Sequence, residues 1–215
     1  MKKTMMLAMM VLGMVAQSAL VAWGEKTIVW DFNNNDGVVS TNELADEGVV
    51  ANDATAAASG GGKTARFANN RAEVNLGTAT SLGTGTFTFT IEIGSTPINI
   101  TDLDFITGVH STAGTATDNY YKWEIEISVD GASASESEFA YYAHGNRANV
   151  SQPESVTLSG LENLKDMSVT FQFIGYYGTN PDYTGGQNTG RWTFIDDVTF
   201  TAEVVVPAGT VLLIK

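Results

Sequence analysis

The chain contains no cysteine. Thiol nucleophiles, thiolate metal centres and disulfide staples are thereby excluded, and 215 residues are enough to bury a core without staples. Its two histidines, His110 and His144, have no metal-ligand spacing and no nucleophile elbow beside them, so both read as surface residues in loops. Basic residues are scarce: 11 Lys+Arg stand against 24 Asp+Glu, a formal net charge of −13. Such a surface repels phosphate backbones, which excludes nucleic acid and anionic membranes as partners. The longest apolar run, residues 5–15, falls short of the roughly 20 residues that a membrane span needs, so no stable span is expected in the mature chain. Residues 60–63, GGGK, lack the leading glycine of a phosphate-binding loop.

What is present begins with an export leader. Lys2 and Lys3 supply the charged start, residues 5–15 the apolar run, and Ala16, Ser18, Ala19 and Ala22 the small residues of a cleavage region. The expected organisation is a signal peptide over 1–22, one domain over 23–203 and a tail over 204–215. Charged residues make up only 16% of the chain, and Thr, Ser, Gly and Asn take much of the polar surface, which suits the exposed faces of strands. Period-two alternation recurs in residues 27–32 (TIVWDF), 87–93 (FTFTIEI), 98–107, 122–129 and 168–176. Shorter strands are expected near 66–76, 139–143 and 155–158, with Asp130-Gly131 as a hairpin turn. Residues 44–62 and 78–85 read as loop. The sum is an all-β chain, a jelly-roll-like antiparallel β-sandwich of about nine strands.

The last long strand is RWTFIDDVTF, residues 191–200. Strict alternation puts Trp192, Phe194, Val198 and Phe200 on the core face, and Asp196 with them. A carboxylate there needs a cation, hydrogen bonds or a bulge that turns it outward and lets Ile195 and Val198 both point inward. Two readings stay open, a bulge and a calcium site at the end of the sheet. In the second, Asp31, Asp196 and Asp197 converge, with Asp36 and the asparagines of residues 33–36 adding oxygens, because calcium takes six to eight oxygen ligands in irregular geometry. Residues 34–44, NNDGVVSTNEL, imitate an EF-hand loop. Position 1 falls on Phe32, however, and a strand precedes the loop in place of a helix, so an intact EF-hand is not expected.

Catalytic signals are thin. Glu124 and Glu126 in WEIEISVDG share a strand face about 6.6 Å apart along the backbone, and the motif resembles that of laminarinase-type glycoside hydrolases. Ser128 stands where that resemblance implies the acid/base. No catalytic residue is assigned; a jelly-roll glycoside hydrolase or lyase relative is kept as an alternative. Aromatic rings point elsewhere. Tyr141, Tyr142, Tyr176, Tyr177, Tyr183 and Trp192 gather in the C-terminal half around Gly, Asn and Pro. Of these, Trp192, Tyr176, Tyr177 and Tyr183 are the candidate sugar-stacking residues of a lectin-like module.

WDF in the first strand, the Gly/Ala/Ser-rich stretch after it, the ISVDG hairpin, VTFQFIGYYG and the closing RWTFIDDVTFT with its Val/Pro tail resemble secreted β-sandwich proteins of the PEP-CTERM class. That resemblance implies a bacterial protein exported to the cell surface or extracellular matrix and associated with polysaccharide. The tail differs from the class pattern: residues 206–209, VPAG, lack Glu-Pro, and Lys215 stands where an Arg cluster is expected, which reads as a degenerate or truncated sorting signal. IDDV also resembles the last strand of jelly-roll carbohydrate-binding modules, some of which hold a structural calcium there.

Overall fold

Alternating sequence becomes strand along most of the chain. The computed structural model describes residues 24–59, 64–75, 84–111, 119–143, 149–177 and 191–206, with side chains described over 24–59, 64–75, 84–108, 123–134, 151–175 and 192–206. The strands are β1 (Lys26–Trp30), β2 (Thr41–Asn42), β3 (Val49–Ala51), β4 (Thr55–Ser59), β5 (Thr64–Ala68), β6 (Arg71–Asn75), β7 (Thr84–Ile93), β8 (Ile98–Ser111), β9 (Asn119–Val129), β10 (Ala132–Ala143), β11 (Asn149–Thr157), β12 (Met167–Tyr177) and β13 (Arg191–Val204). The helical content of the described residues is one 3-10 turn, Ala45–Glu47.

These strands form two antiparallel sheets. The first runs β11-β8-β13-β1-β2, with β6 also on β13 and β5 on β6. The second runs β10-β9-β12-β7-β3, with β4 also on β7. From β6 onward each strand passes to the opposite sheet except across the β9–β10 hairpin. That alternation gives two four-stranded layers, β6-β13-β8-β11 and β7-β12-β9-β10, which is the jelly-roll wiring. The expected fold class holds, with thirteen strands among the described residues in place of about nine.

Phenylalanine and tryptophan rings from both inner faces build the core. Trp30 of β1 meets Phe89 and Phe200 edge-on at 5.2 and 5.6 Å between centroids. Phe171 lies 4.2 Å from Phe200, and Phe105 lies 5.1 Å from Phe173. T-shaped and tilted pairs of this kind add to the burial energy of rings that already dominate a core. A polar chain crosses the core: Trp123 Nε1 donates to Thr193 Oγ1 (3.0 Å), and the Thr193 hydroxyl donates to the Gly108 carbonyl (3.0 Å).

Several local expectations are corrected. The stretch expected as loop over 44–62 contributes β3 and β4, short strands that dock on β7. The single strand expected over 66–76 is a hairpin, β5–β6, turned by Asn69 and Asn70 at φ 54° and 55°. Two successive left-handed residues are what a two-residue hairpin of type I′ needs, and asparagine tolerates that region. His110 lies in β8 opposite Trp192 instead of in a loop, and His144 falls outside the described residues.

Candidate functional site

In β13 the facing of the strand changes at IDDV. Thr193 and Ile195 are buried on the core side, where Thr193 bonds Trp123 of the opposite sheet. Val198, Phe200 and Ala202 are also in the core. The register against β8 shifts between Asp196 and Thr199, and Asp197 has φ 48°. This is a bulge, and it brings Ile195 and Val198 both inward. Trp192 and Phe194 therefore lie on the outer face with Asp196, which corrects their expected place beside Val198 and Phe200. Arginines cover both rings: the Arg66 guanidinium lies 4.1 Å from the centre of Trp192, and that of Arg71 lies 4.1 Å from the centre of Phe194. Arg66 also approaches the buried Glu73 carboxylate at 3.7 Å, and Asn69 Nδ2 donates to Glu73 at 2.6 Å.

The bulge coincides with a break in the neighbouring strand. On one edge of β13, β6 pairs with residues 192–195 and β1 with 198–202. Asp196 and Asp197 lie in the gap between them. Arg71, the first residue of β6, stands 4.0 Å from Asp196, and Asp31 follows directly on β1. Burial pushes the Asp196 carboxyl up to about 6; the charge of Asp197 adds to the rise, the Asp197 N–H and Arg71 oppose it, and the charge of Asp31 adds the smallest contribution. Asp197 and Asp31 thus act on Asp196 through their charge, which is short of the expected convergence of the three carboxylates on one ion. Asp36 is engaged differently, accepting a hydrogen bond from the Val38 N–H at 3.2 Å within its own turn. Other oxygens of the EF-hand-like stretch are also spoken for: Ser40 donates to the Val29 carbonyl, and Glu43 accepts from the Thr27 N–H and hydroxyl. Among the described residues no three His, Asp or Glu side chains stand together as a metal site.

The raised Asp196 has a defined pH signature. Its folded pKa lies above its unfolded one, so its contribution to stability is full below about pH 4 and is lost as pH rises through about 6. In chelator, Asp196→Asn is expected to raise stability by about 1–2 kcal/mol at pH 7 and by little at pH 4, since Arg71 loses a partner while burial of a charge is relieved. Thermal unfolding at both pH values checks this; equal shifts at both would show that Asp196 titrates normally.

The outer face of the second sheet is different in kind. Glu124, Glu126 and Ser128 of β9 alternate with the buried Trp123, Ile125 and Ile127. They share rows with Ile174, Gln172 and Thr170 of β12 and with Thr86, Thr88 and Thr90 of β7. All of these outer positions are half-buried, and Thr90 and Thr170 bond each other at 3.3 Å. Where β10 bulges between Ser133 and Ser135, an open cleft of about 300 Å³ forms, lined by Glu126, Ile127, Ser128, Gly131, Ser133 and Gln172. Register places Glu136 opposite Glu126 and Glu138 opposite Glu124.

The aromatic candidates do not form one group. Trp192 belongs to the first sheet, while Tyr176 and Tyr177 end β12 in the second. Tyr183 lies outside the described residues. Tyr120 and Tyr121, which sequence reasoning left out, are brought beside Tyr141, Tyr142 and Tyr177 by strand register. The signal was available as three Tyr-Tyr doublets at strand ends.

No protein-family model matches the chain, and no curated protein matches its sequence. Among solved structures it is similar to TmCBM61 in complex with beta-1,4-galactotriose, at 12% identity over 67% of this chain and 86% of that one, TM-score 0.40. It is also similar to a family 11 carbohydrate-binding module from Clostridium thermocellum in complex with a beta-1,3-1,4-mixed-linked tetrasaccharide, at 12% identity over 71% and 86%, TM-score 0.32. A third is SACOL2612, a CocE/NonD family hydrolase from Staphylococcus aureus, at 8% identity over 86% of this chain and 37% of that one, TM-score 0.38. Ligand and activity do not travel with such likenesses.

Proposed function

We propose that this protein is an exported, non-enzymatic β-sandwich that binds extracellular polysaccharide at the bacterial cell surface or in its matrix. One observation carries the reading: the outer face of the second sheet sets hydroxyl, amide and carboxylate groups in adjacent rows over β9, β12 and β7, with an open cleft at Glu126 and Gln172. Sugar hydroxyls both donate and accept hydrogen bonds, and Ser, Thr, Gln and Glu side chains offer partners of both kinds. A net charge of −13 favours an uncharged polymer. The leader-like residues 1–22 and the PEP-CTERM resemblance support export. Against catalysis, Ser128 cannot supply the third acidic group of the glycosidase-like row. A glycan array with the full chain tests the reading: binding to neutral polysaccharide is expected, weakened about tenfold by Glu126→Ala with Gln172→Ala. Failure to bind any polysaccharide leaves a purely structural matrix role. Cleavage that Glu124→Gln abolishes makes the protein an enzyme.

A structural calcium belongs to the same proposal, supported by the negative charge that Asp197 and Asp31 add at the half-buried Asp196 in the gap between β1 and β6. The unfolding experiment, repeated with millimolar calcium, is expected to raise the wild-type midpoint by mass action and to leave Asp196→Asn unchanged; identical midpoints with chelator and with calcium in the wild type refute it.

A further inference from the structure

Six of the chain's seven tyrosines occur as three doublets, and the fold brings the doublets together. Tyr120-Tyr121 opens β9, Tyr141-Tyr142 nearly closes β10, and Tyr176-Tyr177 closes β12. Antiparallel register pairs Tyr142 with Tyr120, Tyr141 with Tyr121, Tyr177 with Tyr121, and Tyr176 with Lys122. Because successive residues of a strand take opposite faces, each doublet gives one tyrosine to each face of the sheet. Tyr120, Tyr142 and Tyr176 fall on the face that carries Glu124, Glu126 and Gln172; Tyr121, Tyr141 and Tyr177 fall on the face of Trp123. Residues far apart in sequence thus meet within three adjacent strands, a width of about 10 Å.

We infer that the tyrosine end of β9, β10 and β12 is a stacking platform for one end of an uncharged polysaccharide, whose chain runs along the strands to the cleft at Ser128. This rests on the polysaccharide-binding reading and names the subsite and class of sugar. The described core of the same sheet is filled by Phe87, Phe89, Phe171, Phe173, Ile125 and Ile127. Tyrosine positions are instead gathered by register at one end, and tyrosine combines a flat apolar body with a polar tip, the combination that a sugar ring with apolar faces and a hydroxylated rim calls for. From Tyr120 to Ser128 the strand covers about 26 Å, so the face takes a chain of several sugar units and not a disaccharide. Past the row of Lys122 and Tyr176, the two glutamate rows, Glu124 with Glu138 and Glu126 with Glu136, outnumber that one cation and repel uronate and sulfated polymers along the same path.

The test uses the full chain, affinity electrophoresis in gels containing mixed-linkage β-glucan, galactan or xylan, and alginate as the anionic control. Retardation by at least one neutral polymer, none by alginate, and affinity that climbs with oligosaccharide length are expected. Tyr120→Ala with Tyr142→Ala is expected to weaken binding at least tenfold, with Tyr→Phe at both positions keeping most of it. Mass-spectrometric mapping of tyrosine nitration on the wild type gives an independent readout if the alanine variant does not fold: the bound polymer is expected to protect Tyr120, Tyr142 and Tyr176. Unchanged affinity in the folded alanine variant, or unchanged nitration, overturns the platform. If Glu126→Ala with Gln172→Ala still weakens binding in that case, polysaccharide binding stands and only its aromatic subsite falls. Tight binding of a disaccharide, or of alginate, also overturns the inference.

Discussion

Trp123→Ala is expected to destabilise the protein by about 3–5 kcal/mol, the range for removing a large buried ring. Trp123 is 0% exposed in β9 and tilts against Phe87 at 6.2 Å. A Cβ built on Gly175 of β12 would stand 3.0 Å from the indole ring, so the glycine and the ring are fitted to one another. Alanine leaves a hole that Gly175 has no side chain to fill. The indole also holds a polar connection between the sheets, since its N–H donates to Thr193, whose hydroxyl donates to the Gly108 carbonyl. Thr193→Val, close in volume, isolates that part: the buried N–H loses its acceptor, at an expected cost of about 1–3 kcal/mol. Denaturant unfolding of both variants with an unchanged slope checks the pair of values. A loss below about 1 kcal/mol for Trp123→Ala would mean that the sheets do not depend on this ring.

That connection also explains why alternation reverses the faces of β13 over residues 192–195 while placing Val198 and Phe200 correctly in the core. Alternation alone assigns Trp192 and Phe194 inward because they are aromatic and Thr193 outward because it is polar. The structure does the opposite, since a core tryptophan requires a buried acceptor and Arg66 and Arg71 provide cover for the two outer rings. Alternation gives a strand's period, but a bulge resets its phase, and Asp196-Asp197 signalled the reset without fixing which side was inward. Strands with Phe, Ile and Val at every second position, such as β7 and β12, were legible from sequence, as was the Asp130-Gly131 turn at φ 47° and 79°. Short strands made of Ala, Thr and Ser were not. Residues such as Thr55 and Ala57 of β4 are exposed and carry little apolar signal, and they are strands because β7 offers an edge to pair with. The candidate site was legible in its ingredients only: Glu124 and Glu126 share a face by periodicity, whereas the meeting of three tyrosine doublets follows from registers that no local pattern encodes.

Gly37→Ala is expected to cost about 3 kcal/mol, near the upper end for overpacking, because the obstacle is backbone and cannot swing aside. A Cβ at Gly37 would lie 2.4 Å from the Ala54 carbonyl oxygen and 2.9 Å from the Phe67 ring. Relief requires moving the loop that follows β1, and that loop is tied down on several sides. The Gly37 carbonyl accepts from the Ala54 N–H at 2.7 Å, Asn35 Oδ1 accepts from the Asn70 N–H at 2.8 Å, and Phe32 stacks on Phe67 at 5.6 Å. Any shift that clears the methyl group therefore weakens a hydrogen bond or an aromatic contact, each worth about 1 kcal/mol. Gly24→Ala is the matched control, with nothing within 4 Å of its Cβ, and is expected to unfold with the wild type. The same loop holds Asp31 and Asp36, so Gly37→Ala is also expected to blunt any calcium response at Asp196 while leaving polysaccharide binding on the opposite sheet unchanged under conditions where the variant is folded. Thermal unfolding of the two alanine variants side by side decides it: a Gly37→Ala midpoint matching that of Gly24→Ala would show that the loop is not clamped between Ala54 and Phe67.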